Sequence, residues 1–183
     1  MNDMNEIPIS DKAFQNIIKF YLLECPVRLR KPMPKELRDP DDPQAKYKFI
    51  YKKVSKRGVS FEERGLDGAA LNSLRAAMKR VTGVTLKAVD DEESLLSTVD
   101  SLESNEYIVI KRNEKSCSIT EGYFYCIRNA FAHGDFDIAG EEYVLKNEDK
   151  GCIKGLARLK EKTLLTWIEL VALSAEDIKR AGR

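Results

Sequence analysis

The chain is poor in several features that would settle its class at once. Among 183 residues there is one histidine, His133, and one tryptophan. No apolar run is long enough to span a membrane and no signal peptide opens the chain, so neither a membrane protein nor an exported one is expected. No segment repeats and none is of low complexity. The four cysteines, Cys25, Cys117, Cys126 and Cys152, form no CxxC pair. They read as reduced thiols of a cytoplasmic protein, with neither a disulfide nor a metal site expected, and no cofactor. Formal net charge is only +1, so no overall field draws the protein to nucleic acid or membrane. With 43% hydrophobic and 33% charged residues, what remains is ordinary soluble composition, and 1–183 reads as one domain.

Charge is nevertheless uneven along the chain. Residues 27–57 hold eleven Lys or Arg against four acids, whereas 90–106 hold seven acids and no base. The acidic segment is simply explained as helix-start chemistry, since negative charge is welcome at a helix N-terminus. The basic one interleaves Lys46, Lys48, Lys52 and Lys53 with Tyr47, Phe49 and Tyr51. Such interleaving suits phosphate contacts and base stacking, and equally suits a solvated surface helix.

Most of the patterning that is present is helical. Phe14, Ile17, Ile18 and Tyr21 predict a helix from Ser10 to Glu24, capped by Ser10 and stopped by Pro26. Five of the six prolines lie between Pro26 and Pro43, which makes 26–43 an ordered loop or extended arm. Tyr47, Ile50, Tyr51 and Val54 predict a second helix. The capping box Ser60-Phe61-Glu62-Glu63 precedes a strongly amphipathic run from Leu66 to Val81, ending at Gly83. An extended link over 84–89, a helix over 90–102 and a short apolar run over 106–111 follow. The run is a strand or an interhelical link. Towards the C-terminus, 136–145 reads as a β-hairpin and 148–151 as a turn. Leu156, Leu159, Leu164, Trp167, Ile168 and Val171 predict a long helix, followed by a polar tail over 173–183. The fold expected is all-α, a helical bundle with one small hairpin between the central and C-terminal helices.

The chemistry converges on that central helix. Ser118 and Glu121 form a capping box at its start, and Gly134 occupies the C-cap. Ile119, Tyr123, Cys126, Ile127 and Ala130 line a buried face at spacings of three and four. The opposite stripe carries Glu121, Tyr125, Arg128, Asn129, Ala132 and His133. Polar groups on one face of an otherwise apolar helix need a partner or a purpose. Asn129 and His133 are one turn apart, so one can orient the other. Arg128 and His133 are five apart, about 140° around an ideal helix. A single helix does not easily aim both at one atom, whereas two copies related by a two-fold axis would.

The run Ile127-Arg128-Asn129-Ala130-Phe131-Ala132-His133-Gly134 resembles the signature of the HEPN superfamily, in which a late helix of a helical bundle carries Arg, four to six residues, then His. A polar residue often follows the Arg, here Asn129. The resemblance covers about twenty positions, Glu121 to Ile138. It implies a metal-independent endoribonuclease acting as a homodimer, of the kind found among toxins, antiphage proteins and RNA-processing factors, with an antitoxin or defence partner possible. It equally allows a silent member that binds nucleic acid or nucleotide, or regulates a partner. By that likeness Arg128, Asn129 and His133 are the catalytic set. Tyr125, Lys46, Lys48, Lys52 and Lys53 are weaker RNA contacts, and Lys111 and Arg112 are rim cations by sequence proximity alone. One branch of toxins carries a modifiable Tyr two residues after the His; here that residue is Asp135, so silencing by that route is not implied. A third reading makes the stripe a structural seam of a helical dimerisation protein.

Overall fold

Strands that helical periodicity concealed decide the architecture. The computed structural model describes residues 11–103, 105–113 and 118–183. Of these, 46% are helical and 24% lie in strands, so the fold is mixed α/β and the expectation of an all-α bundle is overturned. Two segments account for most of the difference. Cys152–Lys160, expected as the first part of the C-terminal helix, is strand β7, and Phe49–Lys53, expected as a helix, is strand β2. In β7 the buried residues Gly155, Ala157 and Leu159 alternate with more exposed ones. That is the period of a sheet, although Leu156 and Leu159 alone are compatible with a helix.

The helices are α1 (Lys12–Ile18, prolonged by a π-helical turn Lys19–Glu24), α2 (Gly68–Thr82), α3 (Glu92–Asp100), α4 (Ile119–His133), α5 (Glu161–Ala172) and α6 (Ala175–Ala181). The remaining strands are β1 (Arg28–Pro32), β3 (Thr85–Val89), β4 (Tyr107–Lys111), β5 (Phe136–Ala139) and β6 (Glu142–Asp149). Strands β1 and β2 form an isolated antiparallel ribbon; the other five form one sheet in the order β3-β4-β7-β6-β5. Only β3 and β4 run parallel, and α3 makes the crossover between them, as a parallel pair requires.

Three expectations change in detail. Ser10 lies outside the described residues, and Asp11 caps α1, its carboxylate accepting from Ala13 and Phe14 N–H. The box at Ser60 forms, since Ser60 N–H meets the Glu63 carboxylate at 2.7 Å and Glu63 N–H meets Ser60 Oγ at 3.3 Å. It closes a turn, however, and α2 starts later with Asp67 as its cap. Residues 173–183, read as a polar tail, contain α6, whose fully buried Ile178 docks against α2. One buried side chain on a short helix is invisible to periodicity.

Helix α4 lies across the sheet against β4, β6 and β7, with α2 and the π-helical turn at its flank. Two aromatic rings a heptad apart fasten it. Phe124 meets Phe20, Tyr21, Phe61 and Trp167, and Phe131 meets Tyr21, Phe136 and Tyr143. Along β4, Ile108 and Ile110 join this core. Val109 points the other way, and it and Leu95 of α3 are both fully buried, so both faces of the central strand are covered.

Candidate functional site

The two ends of α4 are fixed by its own sequence. Ser118 Oγ accepts from Glu121 N–H at 3.1 Å. At the other end Gly134 has φ 75°, and Asp135 N–H reaches back to Ala130 C=O at 2.9 Å. That left-handed turn is open to glycine at little cost and stops the helix at His133. With the aromatic rings pinned into the core, the polar stripe has one direction left. Tyr125, Arg128, Asn129 and His133 line a cleft of about 900 Å³. Glu121 is instead buried, its carboxylate accepting from Arg28 N–H at 3.4 Å, and Ala132 is exposed.

Arg128 and Asn129 are not independent. Arg128 Nη1 donates to Asn129 Oδ1 at 3.1 Å, and Asn129 Nδ2 donates to Asn147 Oδ1 at 3.4 Å. Asn147, 5% exposed, stands on β6 in the inward row Tyr143, Leu145, Asn147. This residue was missed by sequence reasoning. Its signal was present: an amide at the next inward position of an alternating strand is a polar group sent into the core. Arg128 Nε is buried without a hydrogen-bond partner, and among the described residues no carboxylate lies within ion-pair distance of the guanidinium. A cation oriented by amides and not neutralised by an acid is available to an anion in the cleft. His133 is exposed at the helix C-terminus, where an imidazolium complements the dipole.

The sheet supplies the opposite wall. The two-residue turn Lys150–Gly151, with φ 54° and 77°, has the positive φ values that tight hairpins use. It places Lys150, with Lys154 just beyond, at the cleft; neither was anticipated. Lys111 and Arg112 also line it. Arg112 pairs with Asp90 at 3.4 Å, while Lys111, Lys150 and Lys154 form no ion pair among the described residues. Acids are present too, Glu148 and Asp149 among them. Glu148 is occupied by Lys146 at 2.9 Å.

Close packing sets the height of the helix above the sheet. A Cβ built on Gly155 would lie 2.5 Å from Cys126 Sγ, so only glycine fits where β7 passes beneath α4. Burial pushes the Cys126 thiol up to about 12. The Cys25 thiol is likewise pushed up to about 12, mainly by burial. A hydrogen bond from Val27 and the field of Arg128 oppose that rise, and the field of Glu121 adds to it. Neither thiol is a nucleophile near neutral pH.

Arg128 and His133 therefore line one cleft within a single chain. Lys46, Lys48, Lys52 and Lys53 are not part of it. They sit on the β1–β2 ribbon and the 3₁₀ turn Ala45–Tyr47 before it, where Lys48 pairs with Asp42 at 2.6 Å and Lys53 with Glu63 at 3.2 Å. Among the described residues no group of three His, Cys, Asp or Glu is placed to hold a metal ion, and no helix is long and apolar enough to cross a membrane. Compared with models of known protein families, with curated proteins and with solved structures, the chain matches none.

Proposed function

We propose that the protein is a metal-independent endoribonuclease, with Arg128, Asn129 and His133, spaced as in the HEPN motif, as its working residues. The observation that carries this is the convergence of an unneutralised, amide-held guanidinium and the chain's only imidazole on one open cleft. RNA brings its own nucleophile, the 2′-OH. A group in the cleft takes the 2′-OH proton, the 2′-oxygen attacks phosphorus, and the bond to the 5′-oxygen breaks. An acid protonates that leaving oxygen, giving a 2′,3′-cyclic phosphate and a 5′-hydroxyl. An imidazole can take up a proton or give one, so His133 suits either role. Arg128 stabilises the charge that builds on the phosphoryl oxygens. Asn129, tied to Asn147, keeps Arg128 aimed into the cleft. Tyr125 offers a face on which a base can stack.

One imidazole cannot be base and acid in the same step. A homodimer with facing clefts provides a second His133, and this is the reason we favour a dimeric enzyme, of a toxin or antiphage kind, working in the cytoplasm. Total RNA incubated with the protein in EDTA tests this: wild type produces cyclic-phosphate ends, and His133→Ala and Arg128→Ala do not. If all three are folded and inert, the ribonuclease assignment fails. A catalytically silent binding or regulatory module, supported by an exposed His133 that makes no hydrogen bond among the described residues, then takes its place.

A further inference from the structure

We propose that the β1–β2 ribbon is a second binding surface, distinct from the cleft, for single-stranded RNA whose bases stack on Tyr51 and Phe49. The pairing register Arg28↔Lys53, Arg30↔Tyr51 and Pro32↔Phe49 puts these six residues on one face, since alternate residues of a strand point the same way. Leu29 and Ile50, on the reverse face, are half-buried. The front face is therefore the outward one. On it, cations and rings alternate diagonally: the Arg28 guanidinium lies 4.8 Å from the Tyr51 ring centre, and that of Arg30 lies 4.2 Å from Phe49. Each ring is braced by a guanidinium, yet Phe49 is 41% and Tyr51 54% exposed. Large apolar rings are seldom left so accessible in a row without a partner.

Charge selects the partner. The segment 27–57 carries eleven cations against four acids. On the front face Arg28 pairs with Glu62 and Lys53 with Glu63, while Arg30 makes no ion pair among the described residues; Lys31 and Lys52, which make none either, flank the rings from the reverse face. Such a surface complements a polyanion. Rings two residues apart on one strand stand about 7 Å from each other, room for one base per ring of an extended strand. Stacking on π faces with cations along the backbone is how single strands are held without sequence preference. The ribbon is also joined to the motif helix, because Arg28 N–H bonds Glu121 at the start of α4. RNA held here stays close to the motif helix, without depending on whether the cleft cuts.

The test is the affinity of a fluorescent twelve-nucleotide 2′-O-methyl oligouridylate, which lacks the nucleophile that cleavage would use, in EDTA at low and moderate salt. Wild type should bind and lose affinity as salt rises. Phe49→Ala/Tyr51→Ala should bind at least tenfold more weakly while its circular dichroism is unchanged, and Arg30→Gln should flatten the salt dependence. The proposal is overturned if the double variant binds within twofold of wild type, or if wild type does not bind the oligomer. It is equally overturned if the double variant changes only oligomeric size or only the binding of phosphatidylserine vesicles. Should the double variant not fold, a 4-thiouridine oligomer photocrosslinked to wild type decides: adducts within 49–51 support the ribbon, and adducts confined to the cleft refute it. Failure of cleavage by wild type bears on the cleft alone and leaves each of these results readable.

Discussion

The cleft and the ribbon are both basic and both display aromatic rings, but their cations are held in different ways. In the cleft Arg128 is oriented by a chain of amides ending at Asn147, a residue buried between helix and sheet. On the ribbon Arg28 and Arg30 rest on exposed rings of a two-stranded element that adds nothing to the main sheet. The difference corresponds to what each proposed task requires. A group that acts on a reacting phosphate must hold its place to a fraction of an ångström, and only a packed frame enforces that. A surface that retains a flexible strand needs accumulated charge and accessible π faces, which a ribbon in solvent provides.

Changes in the two regions should therefore separate, and the widest separation is expected at His133. Replacing it with Ala should lower cleavage by about 10²–10⁴-fold, with oligouridylate affinity unchanged; a parallel loss of binding would mean the regions are not distinct. The frame comes next. Gly155→Ala places a methyl group 2.5 Å from Cys126 Sγ and should destabilise the fold by about 1–3 kcal/mol. Combining it with Cys126→Ala should recover part of that loss, read by urea denaturation, while the ribbon binds normally throughout. Asn147→Ala leaves the Asn129 amide without its acceptor, a loss of about 1–2 kcal/mol. It should lower kcat more than it raises KM, because it loosens Arg128 and removes no substrate contact. A milder effect is expected at the rim, where Lys154→Ala should weaken RNA binding only a few-fold and reduce the salt slope by about one.

Buried thiols give a pH signature of the same frame. Cys25 and Cys126 have folded pKa values raised from the ordinary 9.0 to about 12. The folded state thus keeps protons that the unfolded chain releases above pH 9. Their contribution to stability is complete below pH 9 and is lost as pH rises towards 12. Urea midpoints should fall across that window, and less steeply in Cys126→Ala. A midpoint independent of pH between 8 and 11 would contradict the enclosure of these thiols beneath α4.

How far the sequence could be read follows from how local each signal is. The limits of α4 were legible because Ser118, Glu121 and Gly134 act on backbone groups within one turn of themselves. Its polar stripe was legible for the same reason, since the 3.6-residue period is a property of one segment. β7 was not legible, because Leu156, Leu159 and Leu164 fit a helical spacing. The deciding observation, that Gly155 is small where it passes beneath Cys126 and its helix, concerns a contact far away in the chain. β2 was misread likewise, since Tyr47, Ile50, Tyr51 and Val54 satisfy a helix until Lys31 and Arg30 are seen pairing across from Ile50 and Tyr51. The box at Ser60 shows the same limit in miniature. Its hydrogen bonds form as its residues dictate, but they close a turn, and Asp67 opens the helix instead.

By itself, then, the sequence determined the motif helix, its caps, the stripe that bears Arg128, Asn129 and His133, and the segregation of charge. These depend on residues within a few positions of one another. Tertiary structure alone decided that a mixed sheet lies beneath that helix and that Asn147 holds Asn129. It also brought Lys150 and Lys154 to the cleft, and put the four basic-segment lysines on a separate ribbon and the turn that leads into it. Each of these is a pairing of distant segments, fixed by strand register and by which small residue permits close approach, and neither is a property of any one segment.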